Sequence, residues 1–126
     1  MSTIKVDTIK NTSNVEVYTC KAWVNFDGTQ TAANMIRASG NVSSITDNGT
    51  GDYTVNFATA MADANYSTTA TSGNDDPTNS GTRDANVLGA VTAPSTTAVR
   101  VGHSYVSSTE NRTSIDATYI FVAIFR

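Results

Sequence analysis

One histidine (His103), one cysteine (Cys20), one tryptophan (Trp23) and two glutamates (Glu16 and Glu110) are the scarcest chemistry-bearing residues in this chain of 126. A Ser/His/Asp or Cys/His centre needs a nucleophile, a base and an orienting group within hydrogen-bond reach. His103 lies between Val101 and Tyr105 in an alternating run, which is the setting of a satisfied strand histidine. Cys20 sits in an apolar run and reads as a small core residue, with no second cysteine to pair with. Two glutamates so far apart do not suggest an acid/base pair. The stretch Asp47-Asn48-Gly49-Thr50-Gly51-Asp52 faintly resembles a calcium loop, but it lacks the Asp-x-Asp-x-Asp-Gly spacing and the distal glutamate. Asp75, Asp76 and Asp84 read as solvated loop carboxylates before a cation site. Trp23 with Phe26, Tyr53 and Phe57 could stack on a sugar, yet the apolar pattern around Trp23 favours a core anchor. The expectation from these residues is a soluble β domain with no catalytic, metal or cofactor residues.

Strands must carry these residues. Thr (21), Ser (13) and Asn (12) dominate, while Leu occurs once, Glu twice and Lys three times. Helix-forming surface residues are nearly missing, and strand and turn formers abound. That composition excludes a helical bundle, a coiled coil and a doubly wound α/β fold. Alternating runs cover residues 15–26, 35–39, 42–46, 51–57, 65–71, 87–93, 98–106 and 115–125. The first changes register near Tyr18-Thr19, which predicts a bulge there. Gln30 to Met35 fits a helical turn or a loop. Asn48-Gly49 predicts a hairpin whose glycine supplies positive φ. The last run has Tyr119, Phe121 and Phe125 on one face and Ile120, Val122 and Ile124 on the other. It is therefore a central strand, or one buried against a partner. Gly73 to Asp84 and Ser107 to Ser114 read as polar loops. Some nine strands without crossover helices predict a single-domain, all-β, antiparallel β-sandwich of jelly-roll-like character over residues 15–126. Residues 1–14 read as an N-terminal arm, a short strand through Ile4 and Val6 followed by the polar break Asn11 to Asn14.

The formal net charge is −3, the pI about 4.8, and charged residues make up 15%. Eight scattered Lys and Arg supply no basic stripe, so nucleic acid is not an expected partner. No apolar stretch approaches the roughly 20 residues that cross a bilayer, and the N-terminus lacks a signal-peptide pattern. The expectation is a chain made and folded in a cytoplasm, without membrane insertion.

The stretch Lys21-Ala-Trp-Val-Asn-Phe-Asp-Gly-Thr29, followed by Ile36-Arg-Ala-Ser-Gly-Asn-Val-Ser-Ser-Ile-Thr-Asp-Asn-Gly-Thr-Gly-Asp-Tyr-Thr-Val-Asn-Phe57, resembles a domain of tailed bacteriophages. That domain closes tail fibres and occurs in small virion proteins, especially in phages of aquatic bacteria. The opening Ser2 to Ile9 and the ending Val122 to Arg126 are similar too. This chain departs from the pattern at Ala62, where a proline is usual, at Gly40, where an aromatic is frequent, and in a longer segment from Gln30 to Met35. The resemblance implies a homotrimeric, β-rich, non-enzymatic virion component.

On that reading the chain is a tail-fibre or receptor-binding tip, or alternatively a head or tail decoration protein. A free-standing carbohydrate-binding module is a third reading that leaves the arm unexplained. Candidate receptor-facing loop residues are Asn74, Asp75, Asp76, Asn79, Arg83, Asp84, Glu110, Asn111 and Arg112. They would face a host glycan or protein. Ile4, Val6 and Ile9 are candidates for docking the arm to other virion proteins, by strand addition or by threading between subunits. Trp23, Phe26, Tyr53, Phe57, Tyr119, Phe121 and Phe125 are candidates for the core or the trimer contact.

Overall fold

Tyr53, Val55 and Phe57 alternate with Asp52, Thr54 and Asn56, and a strand's pleat sends the two sets to opposite faces. The apolar set is buried and the polar set is half-buried. The same alternation organises the whole molecule. The structure, a computed structural model, describes residues 2–5, 8–14, 18–73, 82–89, 91–106 and 111–126. Among these, nine strands form two antiparallel sheets: β1 (Cys20–Phe26), β2 (Ile36–Gly40), β3 (Val42–Gly49), β4 (Asp52–Phe57), β5 (Ser67–Gly73), β6 (Thr82–Val87), β7 (Ala98–Val106), β8 (Arg112–Ser114) and β9 (Tyr119–Phe125). The first sheet has the order β2-β1-β9-β5 and the second β3-β4-β7-β6, with β8 also on β7. The all-β, two-sheet expectation holds.

Burying the inner faces of both sheets makes one core. Ala22, Val24 and Phe26 of β1 and Ile120, Val122 and Ile124 of β9 meet Ile45, Tyr53, Val55, Val99 and Val101 from the second sheet. Phe26 and Tyr53 pack edge to face at 5.2 Å, and Phe57 and Tyr66 do so at 5.7 Å. Each fully buried side chain of this size contributes about 1.5–3 kcal/mol. The chain changes sheets between β2 and β3 through Asn41 alone, at φ +55°. Its amide explains how so short a corner holds. Nδ2 donates to the carbonyls of Lys21 and Thr59 at 3.0 and 3.1 Å, and Oδ1 accepts from the Thr59 N–H at 2.7 Å.

Several sequence expectations shift. The segment 30–35 contains a 3-10 turn at Ala32–Asn34. The run read at 87–93 is a turn instead, with the Val91 and Thr92 amides donating to the Leu88 carbonyl at 3.0 Å. The strand there is β6, which begins inside the stretch read as a loop. Its polar residues carry no apolar signal, and backbone pairing with β7 makes it a strand. Likewise β8 lies within the second expected loop, on the Ser104–Val106 end of β7. Residues 2–5 carry no strand, and in the described part of the arm only Lys10 makes a β-bridge. The polar break is a compact turn, with Asn14 at φ +63° and the Ser13 N–H on Asn11 Oδ1 at 2.9 Å. The bulge in β1 falls between Cys20 and Ala22 rather than at Tyr18-Thr19. That shift leaves Cys20 exposed, not in the core.

Candidate functional site

Strand direction gives the sandwich two distinct ends. At one end Phe125 pairs with both Cys20 and Ser67. The arm therefore reaches the sandwich at the same end as Arg126, which is ion-paired to Asp63. At the other end Gly73 pairs with Tyr119 and Thr82 with Val106, which also pairs with Arg112. The two stretches expected to face a receptor thus leave the sandwich side by side, at the end opposite the arm. Sequence separation hid this juxtaposition.

Of the expected loop residues, Arg83, Asp84, Asn111 and Arg112 fall within the described chain. Asn74, Asp75, Asp76, Asn79 and Glu110 lie outside the described residues. Arg112 bridges to Asp84 at 2.9 Å and donates to Ser104 Oγ at 3.1 Å, tying β8 to β6 across β7. Arg83 lies 6.0 Å from the Tyr105 ring. In the arm, Ile4 is 88% exposed and Ile9 51% exposed, and Val6 lies outside the described residues.

The candidate aromatic set divides in two. Phe26, Tyr53 and Phe57 are core residues. Trp23 (44% exposed), Tyr119 (39%), Phe121 (42%) and Phe125 (42%) lie on the outer face of the first sheet. The core-anchor reading of Trp23 fails because Ala22 and Val24, its neighbours on β1, point inward. Across this face Trp23 pairs with Gly40 and Ala123, and Asn25 with Ala38 and Phe121. Thr69 and Thr71 stand beside Ala123 and Phe121 on β5. Tyr119 and Phe121 stack at 6.4 Å, and the Arg37 guanidinium sits 4.7 Å over the Tyr119 ring. Arg37 is held in place by Asp27 at 2.7 Å. Burial raises the Asp27 pKa, but hydrogen bonds from Thr29 and the charge of Arg37 more than offset it, and the net shift is downward.

Polar groups close the core at the loop end. Asp116 Oδ1 accepts from the Tyr53 hydroxyl at 2.6 Å and the Gly51 N–H at 2.8 Å. Burial, reinforced by Asp116, pushes the Tyr53 pKa upward. His103 is buried on β7. Its Nδ1 donates to the Asp84 carbonyl at 3.0 Å, while Nε2 has no partner among the described residues. The satisfied strand histidine is satisfied at one nitrogen only. Burial lowers its pKa below the ordinary 6.5, with Arg83 adding to the shift and the Asp84 carbonyl, Asp116 and Asp84 opposing it. The unfolded chain therefore takes up the proton first as pH falls. Stability should be flat above about pH 6.5 and decline below it, until the folded histidine also titrates. Asp27 and Asp52 titrate in a lower window, below their ordinary 3.8. The thermal midpoint should drop between pH 7 and pH 5, and His103→Gln should flatten that slope. An unchanged slope in the variant would place the effect elsewhere.

Asp47 and Asp52, the ends of the calcium-like stretch, serve structural bonds. Asp47 accepts from the Gly49 N–H at 3.0 Å, and Asp52 holds Arg100 through both oxygens, at 2.6 and 2.7 Å. Arg100 lowers the Asp52 pKa by hydrogen bonding, against the upward push of burial. Among the described residues no group of three or more His, Cys, Asp or Glu is placed to hold a metal, and no helix is long and apolar enough to cross a membrane.

Fold and surface together define an antiparallel two-sheet β-sandwich with an exposed aromatic face and opposed arm and loop ends. No protein-family model, curated protein or solved structure matches the chain.

Proposed function

We propose that this chain is a structural protein of a phage virion, a tail-fibre or receptor-binding tip that acts by binding and not by catalysis. The observation that carries the reading is the polarity of the sandwich. The arm enters beside Phe125, and the stretches after β5 and β7 leave from the far end. A module docked through its arm would present those stretches outward.

The arm supports attachment in a second way. Ile4 and Ile9 are left in solvent by the isolated chain. Insertion into a neighbouring copy or virion protein would bury them at about 25 cal/mol per Å2 of apolar area. A homotrimer of jelly-roll-like sandwiches linked by such arms is the assembly we propose. Four passages of the chain between the sheets are compatible with that wrapping. A Thr-, Ser- and Asn-rich surface with few charges also loses little to ionic screening outside a host.

Gold-labelled antibody on purified particles, with the mass of the isolated protein in solution, tests the proposal. The expected result is label at fibre ends and a mass three times 13.3 kDa. Label spread over the head would make the chain a decoration protein. Label absent from particles would overturn the virion reading.

A further inference from the structure

We propose that the outer face of the first sheet is a saccharide platform for a β1,4-linked chain of neutral hexoses, stacked on Trp23 and Phe121. This inference names a ligand class for the attachment reading and rests on that reading for its biological setting.

The platform is built, not incidental. A Cβ at Gly40 would press into the indole Nε1 and lie 2.9 Å from Cδ1. Glycine at this position lets the indole rest across β2 while 44% of the residue stays in solvent. Beside it lies a shallow depression of about 370 Å3, lined by Trp23, Asn25, Thr69, Thr71, Phe121 and Ala123. Small-molecule pockets start near 300 Å3.

Composition selects the ligand. Aromatic faces attract the weakly positive C–H edges of a pyranose ring, and hydroxyl and amide side chains exchange hydrogen bonds with its hydroxyls. The depression combines both and holds no ionisable side chain, so a neutral ring suits it. A sheet face is nearly flat over a few residues. A β1,4-linked chain is an extended ribbon that lies on such a surface, whereas an α1,4-linked chain curls away from it.

A second copy of this chain fits less well. With aromatic side chains near 200 Å2 each, four that are about 40% exposed offer roughly 300 Å2. A stable interface needs about 800 Å2 per partner, polar area included, so more than half of it here would have to come from surface other than these aromatics. The Thr69 and Thr71 hydroxyls would also have to be covered.

Trp23 is the chain's one tryptophan, so its emission reports directly on the site. The full-length protein is titrated to 10 mM with cellohexaose, mannohexaose and maltohexaose, followed by emission and calorimetry. At least one of the two β1,4-linked hexamers should give a saturable change, and maltohexaose should bind at least tenfold more weakly. By calorimetry Trp23→Ala and Phe121→Ala should each weaken binding at least tenfold, and Thr71→Val two- to fivefold, with circular dichroism unchanged. Gly40→Val should weaken binding by displacing the indole. Should the alanine variants fail to fold, Thr71→Val carries the test on a folded chain. No response to either β1,4-linked hexamer, or equal binding of maltohexaose, overturns the proposal. So does a sedimentation result in which Trp23→Ala dissociates an oligomer that binds no sugar, since a second copy then covers the face. Label at fibre ends without sugar binding sinks this inference alone. Sugar binding without label on particles sinks the virion reading and leaves the platform standing.

Discussion

Gly51→Ala should cost at least about 3 kcal/mol and lower the thermal midpoint by roughly 10 °C or more. Two effects add. Gly51 has φ +66°, a left-handed conformation that costs an L-residue about 1–2 kcal/mol. A Cβ there would be driven into the His103 carbonyl oxygen and lie 2.8 Å from that of Ile115. Both are backbone atoms, so relief means moving the turn at Gly51 away from β7 and from the chain that leads into β9. The Gly51 N–H on Asp116 and the His103 N–H on the Gly51 carbonyl, at 2.8 Å each, would be disturbed too. Gly49 is the control. Its φ is +134°, but nothing lies within 4 Å of a Cβ there. Gly49→Val should therefore cost about 1 kcal/mol, from backbone strain alone. Equal midpoints for Gly51→Ala and Gly49→Val would show that the packing at Gly51 is not as described.

Removal of residues 2–11 should leave the sandwich folded and detach it from the particle. Every described arm residue in that span is exposed, and none belongs to the core. The truncated chain should keep its far-UV spectrum and its midpoint within about 2 °C, because solvated surface segments contribute little. Incorporation into purified particles should fall below detection, and the trimer mass should fall to that of a single chain. An unfolded truncated chain would place the arm in the core. Retained trimers and normal incorporation would move docking to the sandwich itself, with the exposed aromatic face as the first surface to examine.

Much of the architecture was legible in the sequence because strand formation leaves a period-two record. β4 and β7 were found almost to the residue, since Tyr53, Val55 and Phe57, then Val99 and Val101, alternate with polar neighbours. β9 was rightly read as apolar on both faces, and it is central, between β1 and β5. The same record already placed Trp23 outside, opposite Ala22, Val24 and Phe26. The apolar run around Trp23 argued for the core, and the pleat prevailed.

β6 and β8 left no such record. Thr82–Val87 and Arg112–Ser114 are polar edge segments whose strand character comes from hydrogen bonds to β7. Pairing of this kind depends on partners 14 to 24 positions away for β6 and 6 to 10 for β8, which the composition of the segment itself does not encode. Turn chemistry showed a similar limit. Asn48-Gly49 marked the hairpin, but both residues end β3 and the turn itself is Thr50-Gly51, whose glycine is under the tighter constraint because the packing there comes from His103 and Ile115. The candidate site divides along the same line. Which residues are aromatic, hydroxylated or charged is local information, and the sequence alone determined it. Tertiary structure decided that Trp23 lies across Gly40 beside Phe121 and Thr71, that Asp84 meets Arg112, and that the arm enters opposite the loop stretches. Those outcomes follow from strand order and register, which minimise exposed apolar area over the whole chain at once and over no segment separately.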